Sequence, residues 1–263
     1  MRFCSLGSGS GGNASLVEAS QGITRTLLLI DCGFSLRELT RRLARAGSSP
    51  AELDAIFITH EHGDHTGCAL GLAQRYRIPL WTSRGTWRAI SQSAAATDFD
   101  LRLLHLIKDG DCTELGDIQI STFAVPHDAN EPLHLRCADG RRAVGVITDL
   151  GHPCPSVVQA LQACHGLLLE CNHDEAMLRA SSYPAGLKRR ILGSHGHLSN
   201  EAAAELLRQC LHSGLEHVVA AHLSERNNSP ALAAAALAAV LGCQNDEIPV
   251  ANQADGSAWF ELA

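Results

Sequence analysis

Seven residues carry the strongest chemical signal in the 263-residue chain: Thr59-His-Glu-His-Gly-Asp-His65. They follow the apolar segment Leu53-Asp-Ala-Ile-Phe-Ile-Thr59 without a gap. In an extended backbone, residues two apart project to the same side, so His60 and His62 can converge on one cation. Asp64 and His65 are then placed to serve a second. A solvated polar turn is the bland alternative, but it gives no reason for three imidazoles and a carboxylate at this spacing.

Four side chains do not complete two sites, so further donors are expected at other strand ends. His127 follows Ile-Ser-Thr-Phe-Ala-Val-Pro, Asp149 ends Val-Gly-Val-Ile-Thr-Asp, and His222 ends His-Val-Val-Ala-Ala-His. Imidazole and carboxylate donors suit Zn, Mn or Fe, and a carboxylate such as Asp149 can hold two ions side by side. Ligating histidines need outer partners, and Asp31, closing Leu-Leu-Leu-Ile-Asp, is placed to be one.

The elements that must position these residues alternate. Helical spacing marks 36–46, the end of a helix at 71–77, then 86–95, 155–163, 174–180, 200–212 and 230–241. Strands are predicted at 53–59, 78–83, 117–125, 166–170, 217–221 and near 257–262, with a hairpin of 133–138 and 141–148 through the Asp139-Gly140 turn. Ser199 is a candidate helix cap, and Asp174 another. No fixed-period repeat is present. This order predicts an α/β protein in which two packed sheets carry helices on their outer faces.

Gly7-Ser-Gly-Ser-Gly-Gly-Asn13 satisfies the dinucleotide fingerprint G-x-G-x-x-G, and Asp31 lies at the distance of a ribose-binding carboxylate. That fingerprint requires a helix straight after its third glycine. Residues 13–19 and 25–32 read instead as two strands around a Gln21-Gly22 turn. The loop is therefore expected to be a strand-to-strand turn, with an amide-lined loop beside an active site as the remaining alternative.

Composition is that of an ordinary globular protein, 45% hydrophobic and 19% charged. No apolar run has membrane-spanning length and no signal-peptide pattern opens the chain, so a cytoplasmic location is expected. The 10 cysteines include no C-x-x-C pair and read as thiols in a reducing compartment. A net charge of −7 argues against a globally polyanion-binding protein, although bound cations can reverse the field at one site.

The His60-Glu-His-Gly-Asp-His65 run with Asp31, His127, Asp149 and His222 resembles the metallo-β-lactamase superfamily. More narrowly, SLGSGSGGN, LIDCG with LREL, VPHDA, TDLGH, LECNHD with LKRRIL, GHLSN and AHLSERNN resemble the YycJ/WalJ group of bacterial proteins, which is associated with 5′-to-3′ DNA exonuclease activity. Gly63 departs from the group's frequent serine. The resemblance implies a four-layer αβ/βα sandwich forming one domain over 1–263, without an inserted clamp domain. It implies two divalent ions, one held by His60, His62 and His127, the other by Asp64, His65 and His222, with Asp149 bridging and Asp31 supporting. The implied chemistry is metal-assisted phosphodiester hydrolysis, with Asp64 orienting the attacking water and DNA as the substrate.

Several residues are expected to meet that substrate. Gly9, Ser10 and Asn13 offer hydrogen bonds to a phosphate, and His197 can contact a phosphate or protonate the leaving oxygen. Lys188, Arg189 and Arg190 would form a cationic edge for the DNA backbone, although a charge run can equally be a solvated face. Aromatic residues make up only 4% of the chain, which favours duplex backbone recognition over base stacking. Two other classes use the same ligands: a small-molecule metallohydrolase acting on a cyclic phosphate, thioester or lactam, and a non-catalytic metal-binding regulator.

Overall fold

A computed structural model describes all residues, Met1–Ala263. The chain begins with an antiparallel meander, β1 (Arg2–Gly7), β2 (Ala14–Gln21) and β3 (Thr24–Ile30). From β3 onward the pairing turns parallel, which requires crossover connections. Helix α1 (Leu36–Arg45) leads to β4 (Ala55–Phe57), α2 (Gly63–Thr66) and α3 (Ala69–Tyr76) lead to β5 (Leu80–Thr82), and α4 (Arg84–Ile90) leads to β6 (Leu104–Leu106). Ser35 starts α1 by accepting the Glu38 amide, and the helix buries Leu39 and Leu43.

The second sheet repeats this logic. Strands β7 (Cys112–Leu115), β8 (Ile118–Ala124), β9 (Leu133–Ala138) and β10 (Ala143–Ile147) pair antiparallel. Helix α5 (Pro155–Leu161) crosses to β11 (Gly166–Glu170), and α6 (Glu175–Ala180), α7 (Ala185–Ile191) and α8 (Asn200–Cys210) cross to β12 (His217–Ala221), both pairs being parallel. After α9 (Pro230–Leu241), the short β13 (Phe260–Glu261) returns to β1. The sheet orders are β13-β1-β2-β3-β4-β5-β6 and β12-β11-β10-β9-β8-β7.

Alternation along the strands fixes the layers. In β3, Leu28 and Ile30 face the other sheet and pack with Phe57, Leu135, Val146 and Leu168. Leu27 and Leu29 face outward to α1 and α3, against Leu39, Leu43 and Leu72. In β11, Leu167 and Leu169 likewise meet α5, α8 and α9 through Leu161, Leu206 and Leu237. The result is the expected four-layer sandwich, helix–sheet–sheet–helix. Parallel connections on both sides bring the C-terminal ends of β3, β4, β10, β11 and β12 to one edge.

The glycine-rich loop joins two strands, as expected. Helix 86–95 is shorter than its sequence suggested: α4 stops at Ile90, and only a 3-10 turn at Ala94–Ala96 follows. Strand 257–262 shrinks to the two residues of β13. The single-turn helix α2 was unforeseen, and so were three further elements. Strand β6 is three residues long with Leu106 exposed, β7 is half-exposed, and α7 buries no residue, so none carries a readable apolar period.

Candidate metal centre

Each of the strand-end residues arrives at the shared edge. Asp31, Asp149 and His222 stand just past β3, β10 and β12, and all three have left-handed backbone, with φ of 61°, 57° and 55°. Non-glycine residues enter that region at a cost of about 1–2 kcal/mol. The sharp turn directs their side chains inward from the strand ends instead of letting the strands continue. All three are buried.

The His60–His65 segment leaves β4 and enters α2, so successive donor side chains face the centre first from extended and then from helical backbone. His60 Nε2 lies 3.0 Å from His62 Nδ1, and His127 Nε2 lies 3.4 Å from the same atom. The other nitrogens of His60 and His127 are committed. The Thr59 hydroxyl donates to Asp31, so it accepts from His60 Nδ1–H at 3.0 Å, and His127 Nδ1–H donates to the Gly196 carbonyl at 3.0 Å. These bonds leave the Nε2 atoms of His60 and His127 bare, and His62 converges on the same point. Burial holds the pKa of His60 well below its ordinary value and lowers that of His127, which keeps both in the neutral form that ligates.

The second cluster is built around carboxylates. Asp64, His65 and His222 converge, and Asp149 joins both this group and His60. Asp31 Oδ2 accepts from His65 Nδ1–H at 2.8 Å, as expected of a supporting carboxylate, and also takes the Thr59 amide at 2.9 Å through Oδ1. Asp149 Oδ2 sits 2.6 Å from His65 Nε2, outside hydrogen-bond geometry. It and His222 Nε2 are buried with no hydrogen-bond partner. Orphaned buried donor atoms facing a common space fit divalent ions. Burial opposes a charge on His65, yet Asp31 and Asp149 outweigh it and raise its pKa well above the ordinary value. Protons here supply the positive charge that the carboxylates demand, and a cation would replace them.

Glu170, the last residue of β11, was not among the expected site residues. Fully buried, its Oε1 lies 2.8 Å from His197 Nδ1 and 3.2 Å from His222 Nδ1, while Oε2 accepts the Leu150 amide at 2.6 Å. Burial opposes its ionisation, but His197 and His222 bring its pKa down to about 2. One carboxylate thus orients a histidine on each side and anchors the turn carrying Asp149. The strand-end argument that found Asp149 and His222 would have found it too, since Glu170 is the one charged residue of an apolar strand.

The glycine loop packs against this centre. Asn13 Nδ2 lies 3.1 Å from His65 Nε2, Asn13 Oδ1 accepts the Gly9 amide at 2.9 Å, and Ser8 Oγ accepts the His222 amide at 2.8 Å. The Asn13 amide donates to Asp64 O and the Gly33 amide to Asn13 O, at 2.8 and 2.9 Å. A β-carbon on Gly33 would stand 1.8 Å from Asp64 O, so only glycine allows this approach. Ser10 is exposed and reaches a cavity of about 180 Å³ that His197, Asn172, Tyr183, Arg190 and Ser224 also line.

The cationic run sits beside this cavity on α7, but its members differ. Lys188 Nζ donates to the carbonyls of Arg179 and Ser181 at 2.7 and 2.6 Å, which ties α7 to the end of α6. Arg190 pairs with Asp128, next to His127. Arg189 is exposed and makes no ion pair or side-chain hydrogen bond, so it alone is a free charge. Asp174 caps α6 by accepting the Met177 amide, and Ser199 caps α8.

A family model described as β-lactamase superfamily domain matches residues 26–222. Among curated proteins, the exodeoxyribonuclease WalJ of Streptococcus pneumoniae serotype 2 is 36% identical over 232 residues, 88% of this chain and 85% of its own. The exodeoxyribonuclease YycJ of Bacillus anthracis is 32% identical over 241 residues, 92% and 89% of the two chains. Zn(2+)-bound PqqB from Methylobacterium extorquens superposes with a TM-score of 0.73 at 15% identity, covering 100% of both chains. The metallo-β-lactamase fold protein YhfI of Bacillus subtilis does so at 0.71 and 16%, covering 99% of both. At such identity the two structures speak for the fold alone.

Proposed function

The chain belongs to the β-lactamase superfamily, and from that membership we propose that it is a metal-dependent exodeoxyribonuclease acting from the 5′ end of DNA. The observation that carries this reading is the convergence of bare nitrogens and unpartnered carboxylate oxygen on one edge of a fold whose exodeoxyribonuclease relatives align with most of its length. We take the chain as one catalytic domain that holds DNA with its own edge.

In this reading His60, His62 and His127 hold one divalent ion, Asp64, His65 and His222 hold the other, and Asp149 is shared. When bound, such ions neutralise charge on the phosphate and acidify the attacking water, whichever of Zn, Mn or Fe is present. The rest falls to the chain's own groups. Asp31 and Glu170 fix the orientation of His65, His197 and His222 through their Nδ1 atoms. Asp64, the most exposed carboxylate of its cluster, orients the water. The Ser10 amide and the Asn13 side-chain amide bind the phosphate, with the Gly9 amide holding Asn13 in place, while the cavity beside His197 receives the adjoining nucleotide. His197, held at Nδ1 by Glu170, delivers a proton to the leaving oxygen from Nε2.

Purified protein is to be incubated with duplex DNA labelled at the 5′ or the 3′ end, with Mn or Zn added. The expected result is prompt release of labelled mononucleotide from the 5′ label, abolished by EDTA and by Asp64→Ala. Intact DNA with a hydrolysed cyclic phosphate or thioester would move the chain to a small-molecule hydrolase.

A further inference from the structure

All 10 cysteines are free thiols, and two of them meet in the wall of the metal centre. Cys32 follows Asp31 out of β3 and is wholly buried, whereas Cys68, just past the α2 loop, is partly exposed. The Cys68 amide donates to the Cys32 carbonyl at 3.1 Å, and the Cys32 amide donates to the His65 carbonyl at 2.7 Å. Both side chains lie in the same apolar cluster, and the backbone bond between the two residues holds them side by side. Burial and then Cys68 hold the Cys32 thiol well above its usual range, while the contact with Cys32 lowers that of Cys68. Cys68 is therefore the sulfur that a dissolved oxidant reaches first. Cys137 and Cys210 are pushed up by burial and then by the Cys164 thiol, and Cys164 by burial, and all three are buried.

We propose that Cys32 and Cys68 form a reversible disulfide under peroxide, a covalent modification site that closes a ring around the His60–His65 segment. The Cys68 thiolate attacks one oxygen of hydrogen peroxide, the O–O bond breaks, and the departing hydroxide takes up the thiol proton as water. Cys32 sulfur then attacks the Cys68 sulfenic acid, the S–S bond forms, the S–O bond breaks, and a second water leaves with the Cys32 proton. Two thiols lose two electrons and one peroxide becomes two waters. Cys68 is the attacking residue and Cys32, shielded from solvent, the resolving one.

The test treats the full-length protein with graded hydrogen peroxide, then unfolds it in guanidinium with iodoacetamide and digests it with trypsin. Cleavage after arginine leaves Cys32 in peptide 26–37 and Cys68 in peptide 46–75, each as the sole cysteine. The expected product is these two peptides linked, lighter than their sum by two hydrogens and separated by dithiothreitol. It forms at doses that leave Cys137, Cys164 and Cys210 alkylated. In Cys68→Ser, Cys32 stays alkylated at the same dose; in Cys32→Ser, Cys68 runs on to sulfinic acid. Sulfinic acid at Cys68 in the unaltered chain while Cys32 remains alkylated would overturn the proposal, as would links from either residue to Cys112 in equal yield, or alkylation of both at every dose.

Discussion

Asp31 shows how much a residue outside the cluster contributes. It accepts from Thr59 and from His65 at once, and through Thr59 it also settles which nitrogen of His60 is bare. Asp31→Asn turns one accepting oxygen into a donor facing His65, so metal affinity should fall about 10–100-fold; competition against a chromophoric chelator measures it, and unchanged affinity would remove Asp31 from the supporting role. His134 makes a different prediction, about stability. It is fully buried in β9, donates from Nδ1 to the Val146 carbonyl, and has no partner at Nε2. Burial pushes its pKa from 6.5 down to about 4. The unfolded chain therefore binds a proton below pH 6.5 that the folded chain refuses until about pH 4, so stability falls on acidification through that window and is level above it. Its share of the loss between pH 7.5 and 5 is about 2 kcal/mol. Urea titrations in EDTA should show that gap shrink by this amount in His134→Asn.

Helix α7 is the element where charge and function separate. Its three cations are adjacent in sequence, yet Lys188 serves as a tie to α6, Arg190 pairs with Asp128, and only Arg189 is free. Arg189→Ala is expected to weaken DNA binding uniformly across sequences and to reduce the salt slope by about 1. Lys188→Met should leave that slope alone and lower the unfolding midpoint instead. Equal slopes for all three proteins in a salt series of fluorescence anisotropy would mean that α7 does not meet the DNA backbone.

At the scale of the molecule, the metal centre draws side chains from both sheets, His60 and His65 from one, His127, Asp149 and His222 from the other. Ions held there would therefore stabilise the sandwich as a whole. A ligand at about a thousand times its dissociation constant adds about 4 kcal/mol, a melting shift on the order of 10 °C for a chain of this size. Scanning calorimetry with and without EDTA should show that drop, and Asp149→Asn should be nearly insensitive to the chelator. No helix is long and apolar enough to cross a membrane.

The histidines and carboxylates that the structure brings together were legible because their signals are local. His60 to His65 share one strand end, and Asp149 and His222 each close a short apolar run, so neighbours along the chain already define their direction. Helices with a buried stripe and an oxygen-bearing cap, such as α1 and α8, were legible for the same reason. Glu170 closes an apolar run as Asp149 does and was readable on the same ground, but which histidines it meets shows only when β11 is seen to lie between β10 and β12. The free or spent state of Lys188, Arg189 and Arg190 and the meeting of Cys32 with Cys68 were likewise invisible. Sequence by itself determined which residues end each strand and which face they take, since period and capping act over a few residues. Which strand ends share an edge, and which side chains meet there, depends on sheet order and crossover, contacts between residues far apart in the chain that only the tertiary structure decides.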